Sequence, residues 1–139
     1  MHRVVVAAIV IALVCSPVGM PPATADNPVC TPTVCAFLSP SRNISCEIDY
    51  QRGPGSPDET YCQVDSPAHS VRMSTDAVVT VCTGSSCLGN PGIGTPTLGY
   101  GQTVGIGPFN CESQVNGVTC TVFSSRGFTI SNTGVTPTG

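Results

Sequence analysis

Apolar and polar residues alternate along much of the chain with a period of two. Residues 43–50 (NISCEIDY) show this most clearly, because every second position is apolar. Such alternation is typical of a strand with one buried face. Similar stretches occur at 61–66, 70–74, 102–111, 118–123 and 128–130. Residues 77–82 (AVVTVC) are instead apolar on both faces, which favours a central strand.

Glycine and proline clusters separate these stretches, notably at 53–57 and 89–96. Such clusters are typical of turns, and no segment of the sequence keeps helical periodicity over three turns. The pattern therefore predicts an all-β fold of about six to eight short strands. With the cysteines described below, we expect a small disulfide-stapled antiparallel sandwich or barrel.

The cysteines restrict the register of the last predicted hairpin. A two-residue type I′ turn at 116–117 would leave Cys111 and Cys120 as diagonal neighbours about 7–8 Å apart, too far for an unstrained disulfide. A four-residue loop over 114–117 places Cys111 directly opposite Cys120. The sequence thus predicts this register, a Cys111–Cys120 disulfide, and a positive φ at Gly117.

The N-terminal residues 1–25 have the parts of a secretory signal peptide. Arg3 precedes an apolar run at 4–14, and a small-x-small sequence ends just before Asp26. As a helix the run spans about 16 Å, roughly half of a bilayer core, so we expect no transmembrane span in the mature chain. We predict cleavage near Ala25–Asp26 and a secreted or envelope protein. Lipidation of Cys15 is the alternative, although the residue before it is not small.

The mature chain is predicted to have three parts. These are a Pro/Thr-rich N-terminal segment at 26–36, a disulfide-bonded β domain at 37–131, and a flexible tail at 132–139. Charged residues make up only 9% of the sequence, and acidic residues outnumber basic ones. A nucleic-acid partner requires a basic face, so the composition argues against one.

Nine cysteines are the strongest compositional signal. One belongs to the predicted signal peptide, which leaves an even number, and such a set in a short exported chain indicates a disulfide framework. The eight are Cys30, Cys35, Cys46, Cys62, Cys82, Cys87, Cys111 and Cys120. Two of the spacings are Cys-x₄-Cys, wider than structural zinc sites or redox Cys-x-x-Cys motifs commonly show. We therefore expect no metal and no cofactor.

The order of several short segments along the chain resembles that of a known family. The segments are FLSPSRNISCEI (37–48), Cys62, VTVC (79–82), LGYG (98–101), VGIGPFNC (104–111), GVTC (117–120) and RGFTIS (126–131). Together they resemble a cysteine-rich domain of unknown function from small exported proteins of mycobacteria and related actinobacteria. The resemblance implies a disulfide-bonded all-β domain outside the cytoplasmic membrane with no established activity. It also implies the pairs Cys46–Cys62 and Cys111–Cys120.

The chain departs from this family at the cysteines that remain. Family members tend to have a cysteine near 66–70 that would pair with the position of Cys82, and this chain has none there. A Cys82–Cys87 bond would close a small loop. Bonds from Cys30 or Cys35 would instead hold the N-terminal segment against that loop, and the sequence leaves both pairings open.

Two catalytic hypotheses can be drawn from the side chains. A hydrolase triad would need His69, the only histidine after cleavage, with a nearby serine and acid. No Gly-x-Ser-x-Gly sequence marks an activated serine, so we interpret His69 as a surface loop residue. A glycosidase would need two carboxylates. The candidates are Glu47, Asp49, Asp58, Glu59 and Glu112. We interpret Glu47 and Asp49 as the solvated polar face of a strand.

We therefore predict a non-catalytic exported β domain that is an interaction or structural module for an unknown protein or envelope component. The loops 51–60 and 83–97 are the candidate binding surface. Four anchor residues are predicted because aromatic and arginine side chains dominate contact energies. They are Tyr50, Arg52, Tyr61 and Tyr100. The alternatives are a small secreted hydrolase or enzyme inhibitor, and a thiol-based envelope redox sensor.

Overall fold

Ten short strands make up about half of residues 29–139, the range that the computed structural model describes. The predicted signal peptide and its cleavage site lie outside this range. The strands are β1 (Val34–Leu38), β2 (Ile44–Asp49), β3 (Glu59–Val64), β4 (His69–Ser74), β5 (Val79–Thr83), β6 (Thr103–Ile106), β7 (Phe109–Gln114), β8 (Gly117–Thr121), β9 (Gly127–Ser131) and β10 (Gly134–Thr138). A single 3₁₀ turn at Ser85–Cys87 completes the elements of this range. The predicted all-β class is confirmed.

The strands form two antiparallel sheets of five strands each. Sheet 1 has the order β1-β2-β3-β4-β5, and sheet 2 has the order β10-β9-β8-β7-β6. Every strand therefore pairs with its neighbour in sequence, as short turns allow. The inner faces of both sheets contribute to one buried apolar cluster, in which Phe37, Phe109 and Phe128 are among the largest side chains. The architecture is a sandwich.

The strand count exceeds the prediction in part because the terminal segments are ordered into strands. Residues of the predicted N-terminal segment enter β1, whose Phe37 lies opposite Cys46 of β2. The predicted flexible tail forms β10, in which Val135 lies opposite Ile130 of β9. Pro137 is compatible with that strand because β10 is at the edge of sheet 2.

Two further expectations about strands were wrong. Residues 102–111 form two strands, because the chain turns between Ile106 and Phe109, with Gly107 at φ 58°. Residues 77–82 do not form a central strand: β5 is the edge of sheet 1, and Val81 is 51% exposed. The β-branched residues of β5 satisfy strand propensity, which does not by itself require burial on both faces.

The register of the β7–β8 hairpin is the predicted one. Cys111 lies opposite Cys120, and Gln114 lies opposite Gly117, so the turn itself is shorter than the predicted four-residue loop. Gly117 has φ 152°, and a Cβ there would lie 2.2 Å from the carbonyl oxygen of Ile130. Only glycine therefore fits this close approach of β8 to β9.

All eight cysteines within residues 29–139 are paired. The disulfides are Cys30–Cys35, Cys46–Cys62, Cys82–Cys87 and Cys111–Cys120, and they include both predicted pairs. The two remaining pairs are local, which excludes the alternative of a bond between the N-terminal segment and the Cys82 loop. The reason is topological, since β1 and β5 are opposite edges of sheet 1, four strand spacings or about 19 Å apart.

Candidate functional site

A groove crosses the outer face of sheet 1, and we call it the outer-face groove. Its floor consists of side chains that alternate with the core residues of β2, β3 and β4, and its wall is the loop at 89–95. The cavity volume is about 190 Å³. The polar residues predicted from the period of two thus lie together on this face, while Cys46 and Cys62 between them face the core.

Charged side chains are concentrated at one end of the groove. Arg52 Nη1 lies 3.4 Å from Glu47 Oε1 and 3.1 Å from Asp49 Oδ1, so a single guanidinium bridges two carboxylates of β2. On the next strands Arg72 donates to Glu59, with its guanidinium carbon 4.8 Å from the centre of the Tyr61 ring. Both arginines are therefore held in place by carboxylates, and Arg72 also by a cation–π contact.

The carboxylate of Glu47 has a raised pKa. Partial burial raises the pKa of Glu47, and the hydrogen bond and negative charge of Asp49 raise it further, while Arg52 opposes the shift. The charged form of Glu47 is thus less favourable in the fold than in the unfolded chain. A cation that enters the groove would reduce this cost.

The wall of the groove is fixed by a buried amide. Gln63 is only 2% exposed, and its Oε1 accepts the Gly89 N–H at 2.7 Å while its Nε2 donates to the Gly89 carbonyl at 3.0 Å. The Tyr61 hydroxyl donates to the carbonyl of Cys87 at 2.7 Å. Two side chains of β3 therefore hold the loop at 87–89 against the sheet.

The four predicted anchors do not form one surface. Tyr61 lines the outer-face groove, and Arg52 lies beside it, where it contacts the lining residues Glu47 and Asp49. Tyr50 packs against the β6–β7 turn, where a Cβ at Gly107 would lie 2.6 Å from its ring. Tyr100 is 50% exposed and lies in a second cleft of about 490 Å³, whose lining side chains are uncharged. The sequence therefore identified one residue that lines the groove, one that lies beside it and two elsewhere.

His69 is not in a surface loop. It lies on β4 and is 5% exposed, with Nδ1 2.6 Å from the Pro67 carbonyl and Nε2 2.9 Å from the Ser131 carbonyl. The expectation failed because β4 begins at His69, so this side chain follows the alternation of the strand and faces inward with Val71 and Met73. Both ring nitrogens contact backbone carbonyls, so neither is directed at a hydroxyl nucleophile. This geometry argues against the triad hypothesis.

The candidate acids are also not arranged as in a glycosidase. Glu47 and Asp49 both bind one atom of the Arg52 guanidinium, at 3.4 Å and 3.1 Å, so the two carboxylates share a cation instead of facing each other across an open site. Asp58 accepts the Gln51 N–H at 2.8 Å and so supports the turn after β2. Glu112 lies on β7 in sheet 2, away from the other acids.

The sequence did not identify Gln63 and Arg72 as site residues. Arg72 carried one signal, since it is the polar position between Val71 and Met73 of a predicted strand. Gln63 carried none, because nothing local shows that a distant loop folds over its strand. The sulfurs of Cys46, Cys62 and Cys120 lie within 4.8 Å of one another, but all three are disulfide-bonded and offer no thiolate to a metal.

Comparison with known proteins does not add to this evidence. No family model, curated protein or solved structure matches the chain. Within residues 29–139, no helix has the length and apolar character needed to cross a membrane. The resemblance to exported actinobacterial proteins therefore stays a prediction, and the functional argument rests on the residues of the groove.

Proposed function

We propose that this chain is a non-catalytic binding module that acts outside the cytoplasmic membrane and takes up a protein or envelope component in the outer-face groove. The observation that carries the proposal is the concentration of charge in that groove. Only 9% of the residues are charged, yet Arg72 lines the groove together with three carboxylates and a tyrosine, and Arg52 binds two of those carboxylates from beside it. Arginine and tyrosine are the side chains enriched in binding hot spots.

The covalent structure and the N-terminal sequence support the location that we propose. Four disulfides in a short chain are typical of oxidising compartments outside the cytoplasm. The signal-like residues 1–25 support export, and the resemblance to mycobacterial exported domains supports the same location. We therefore place the module in the extracellular space or at the cell envelope.

The groove favours a partner that presents charges of both signs. Glu47 is available to a cation of the partner, because a positive charge would relieve the cost of its own negative charge. Arg72 is 57% exposed at its side chain and retains donors for an acceptor of the partner. Such alternation of charge is typical of a protein surface and gives orientation and specificity to binding.

Binding and catalysis differ in what they require of this chain. A hydrolase of the type considered above needs an activated nucleophile or two separated carboxylates. His69 is engaged by two carbonyl groups, and Glu47 and Asp49 share one arginine. These contacts favour the binding module over the hydrolase.

Affinity capture with matched variants tests the proposal. The exported chain, purified with its disulfides intact, is immobilised and exposed to envelope and culture-medium extracts of its source, and captured proteins are identified by mass spectrometry. Arg52→Ala and Arg72→Ala should each weaken binding of the captured partner at least tenfold, the effect of losing about 1.4 kcal/mol. The control is Arg126→Ala, an exposed arginine in the β8–β9 turn, which should change nothing.

Two outcomes would contradict this function. Equal binding by all three variants would show that the groove is not the binding surface. Loss of binding with Tyr100→Ala alone would instead assign the interaction to the second cleft.

A further inference from the structure

The four disulfides differ in their access to solvent. Cys46–Cys62 and Cys111–Cys120 lie in the core, with their cysteines at most 4% exposed. In the Cys30–Cys35 pair one partner, Cys35, is fully buried. Cys82 is exposed on the edge strand β5, and its partner Cys87 is partly exposed. Cys30 is partly exposed, as Cys87 is, but only Cys82 among the eight is exposed outright. Because thiol exchange requires a thiolate to reach a disulfide sulfur, Cys82–Cys87 is the disulfide of residues 29–139 that is most open to attack.

The same disulfide is directly connected to the wall of the outer-face groove. It joins β5 to the start of the segment 84–97, which we call the groove loop. The carbonyl of Cys87 accepts the Tyr61 hydroxyl, and the peptide groups of Gly89 pair with the Gln63 amide two residues later. The disulfide therefore fixes the point from which the loop crosses the face of sheet 1.

Little else holds the groove loop in place. Residues 89–94 are all exposed, so the crossing segment buries no apolar side chain that would replace the covalent link. At its far end the loop is attached by two backbone hydrogen bonds of Leu38, one to Pro96 and one from Leu98. The position of the wall thus depends on a few hydrogen bonds and one disulfide.

We propose that Cys82–Cys87 is a reducible latch of the outer-face groove, opened by a dithiol reductant such as a thioredoxin-like protein. The consequence for ligand binding rests on the proposed function of the groove, whereas the opening of the loop does not. In the reduced protein the turn at 85–87 is released from β5, the contacts of Gly89 weaken, and the groove loses its wall.

The dithiol supplies both electrons that the reduction of Cys82–Cys87 requires. One thiolate of the reductant attacks the sulfur of Cys82, the S–S bond breaks, and Cys87 leaves as a thiolate that takes up a proton. The second thiolate attacks the mixed disulfide and releases Cys82 as a thiol, and the reductant leaves as its own disulfide. Two electrons and two protons pass to the protein.

Graded reduction tests the selectivity. The folded protein is treated with increasing dithiothreitol, free thiols are blocked with iodoacetamide, and labelled peptides are quantified by mass spectrometry. Cys82 and Cys87 should be labelled at least tenfold faster than the other six cysteines of 29–139, while far-ultraviolet circular dichroism stays that of the folded protein. Labelling of all disulfides at one rate, or of Cys30 and Cys35 first, would overturn the proposal.

Hydrogen exchange tests the latch separately from ligand binding. Reduction, or the double variant Cys82→Ser/Cys87→Ser, should speed exchange of the Gly89 amide at least tenfold and leave the amides of β7 and β8 unchanged. The matched control Cys30→Ser/Cys35→Ser should leave Gly89 protected. Unchanged protection of Gly89 after reduction of Cys82–Cys87 would refute the latch.

The two proposals fail in different ways. If Arg72→Ala does not affect binding, the groove is not the binding surface, and the latch is still decided by the exchange of Gly89. If Arg72→Ala weakens binding but reduction changes neither exchange nor affinity, the groove binds and the latch is wrong.

Discussion

Replacement of Gln63 by alanine should detach the groove loop while leaving the sandwich folded. Gln63 is 2% exposed, and its amide makes both contacts with Gly89, at 2.7 Å and 3.0 Å. A net contribution of about 1 kcal/mol for each hydrogen bond gives a loss of about 2 kcal/mol. Because Gly89 is exposed, water can satisfy its peptide groups after the substitution, and no larger desolvation cost is added.

The loss of stability should be confined to the groove loop and should not lower the global stability of the sandwich. The methylene groups of Gln63 lie on the outer face, and the inner face of β3 keeps Cys62 and Val64 in the core. We therefore expect the protection of the Gly89 amide to fall about 30-fold, the equivalent of 2 kcal/mol. Hydrogen exchange followed by mass spectrometry or nuclear magnetic resonance measures this directly, with urea unfolding as the global reference.

A second glutamine serves as the control, because its replacement also removes a side-chain amide but does not affect the contacts with Gly89. Gln102 Oε1 also accepts a backbone N–H, that of Gly99 at 2.8 Å, but this contact is exposed and joins residues of one turn. Gln102→Ala should cost less than about 1 kcal/mol and should not change Gly89. If Gln63→Ala leaves the exchange of Gly89 as it is in the wild type, the amide does not hold the loop, and the argument for the groove wall is refuted.

Three other substitutions test the charges, the close backbone approach and the core. Burial and a neighbouring carboxylate raise the pKa of Glu47 above 4.5, so protonation of this side chain stabilises the fold. Glu47→Gln should therefore increase the free energy of unfolding in urea at pH 7, and this gain should disappear as the pH falls toward 4.5 and below. Gly117→Ala should lower the melting temperature well beyond Gly134→Ala, since a Cβ meets a carbonyl oxygen 2.2 Å away at the first position and nothing within 4 Å at the second. Phe128→Ala should cost about 3–5 kcal/mol in urea unfolding, against less than about 0.5 kcal/mol for Phe123→Ala, which removes a side chain that is 84% exposed.

Period-two alternation predicted the strands whose two faces differ. In β2 the buried and partly exposed positions alternate without exception, and the sequence there defined both the strand and its inner face. The β7–β8 register was also accessible, because the disulfide geometry of Cys111 and Cys120 eliminated the competing turn. In both cases the decisive constraint is local in sequence.

The errors on the tail and on β5 have the same cause, which is that pairing is not local. The tail at 132–139 has the composition of a flexible segment, but β9 offers it a free edge, and hydrogen bonds to that edge order it as β10. β5 has the composition of a central strand, but no further strand follows it in the sheet. Composition describes what a strand can bury, whereas the topology decides what covers it.

The candidate site shows the same limit. Arg52 and Tyr61 were identified by residue type, as side chains common in binding surfaces. Gln63 and Arg72 acquire their roles from contacts with Gly89 and Glu59, which are 26 and 13 residues away. A single sequence does not reveal such contacts.

The disulfides and the apolar core have separate tasks in this fold. Each disulfide of residues 29–139 joins positions at most 16 residues apart, and none joins sheet 1 to sheet 2. Cohesion between the sheets therefore comes from the shared apolar core, where the sulfurs of Cys62 and Cys120 lie 3.9 Å apart. Cys46–Cys62 and Cys111–Cys120 fix the registers of the β2–β3 and β7–β8 hairpins, whereas Cys82–Cys87 fixes a loop at the surface. Because it lies outside the core, that one disulfide can open and close while the sandwich stays intact.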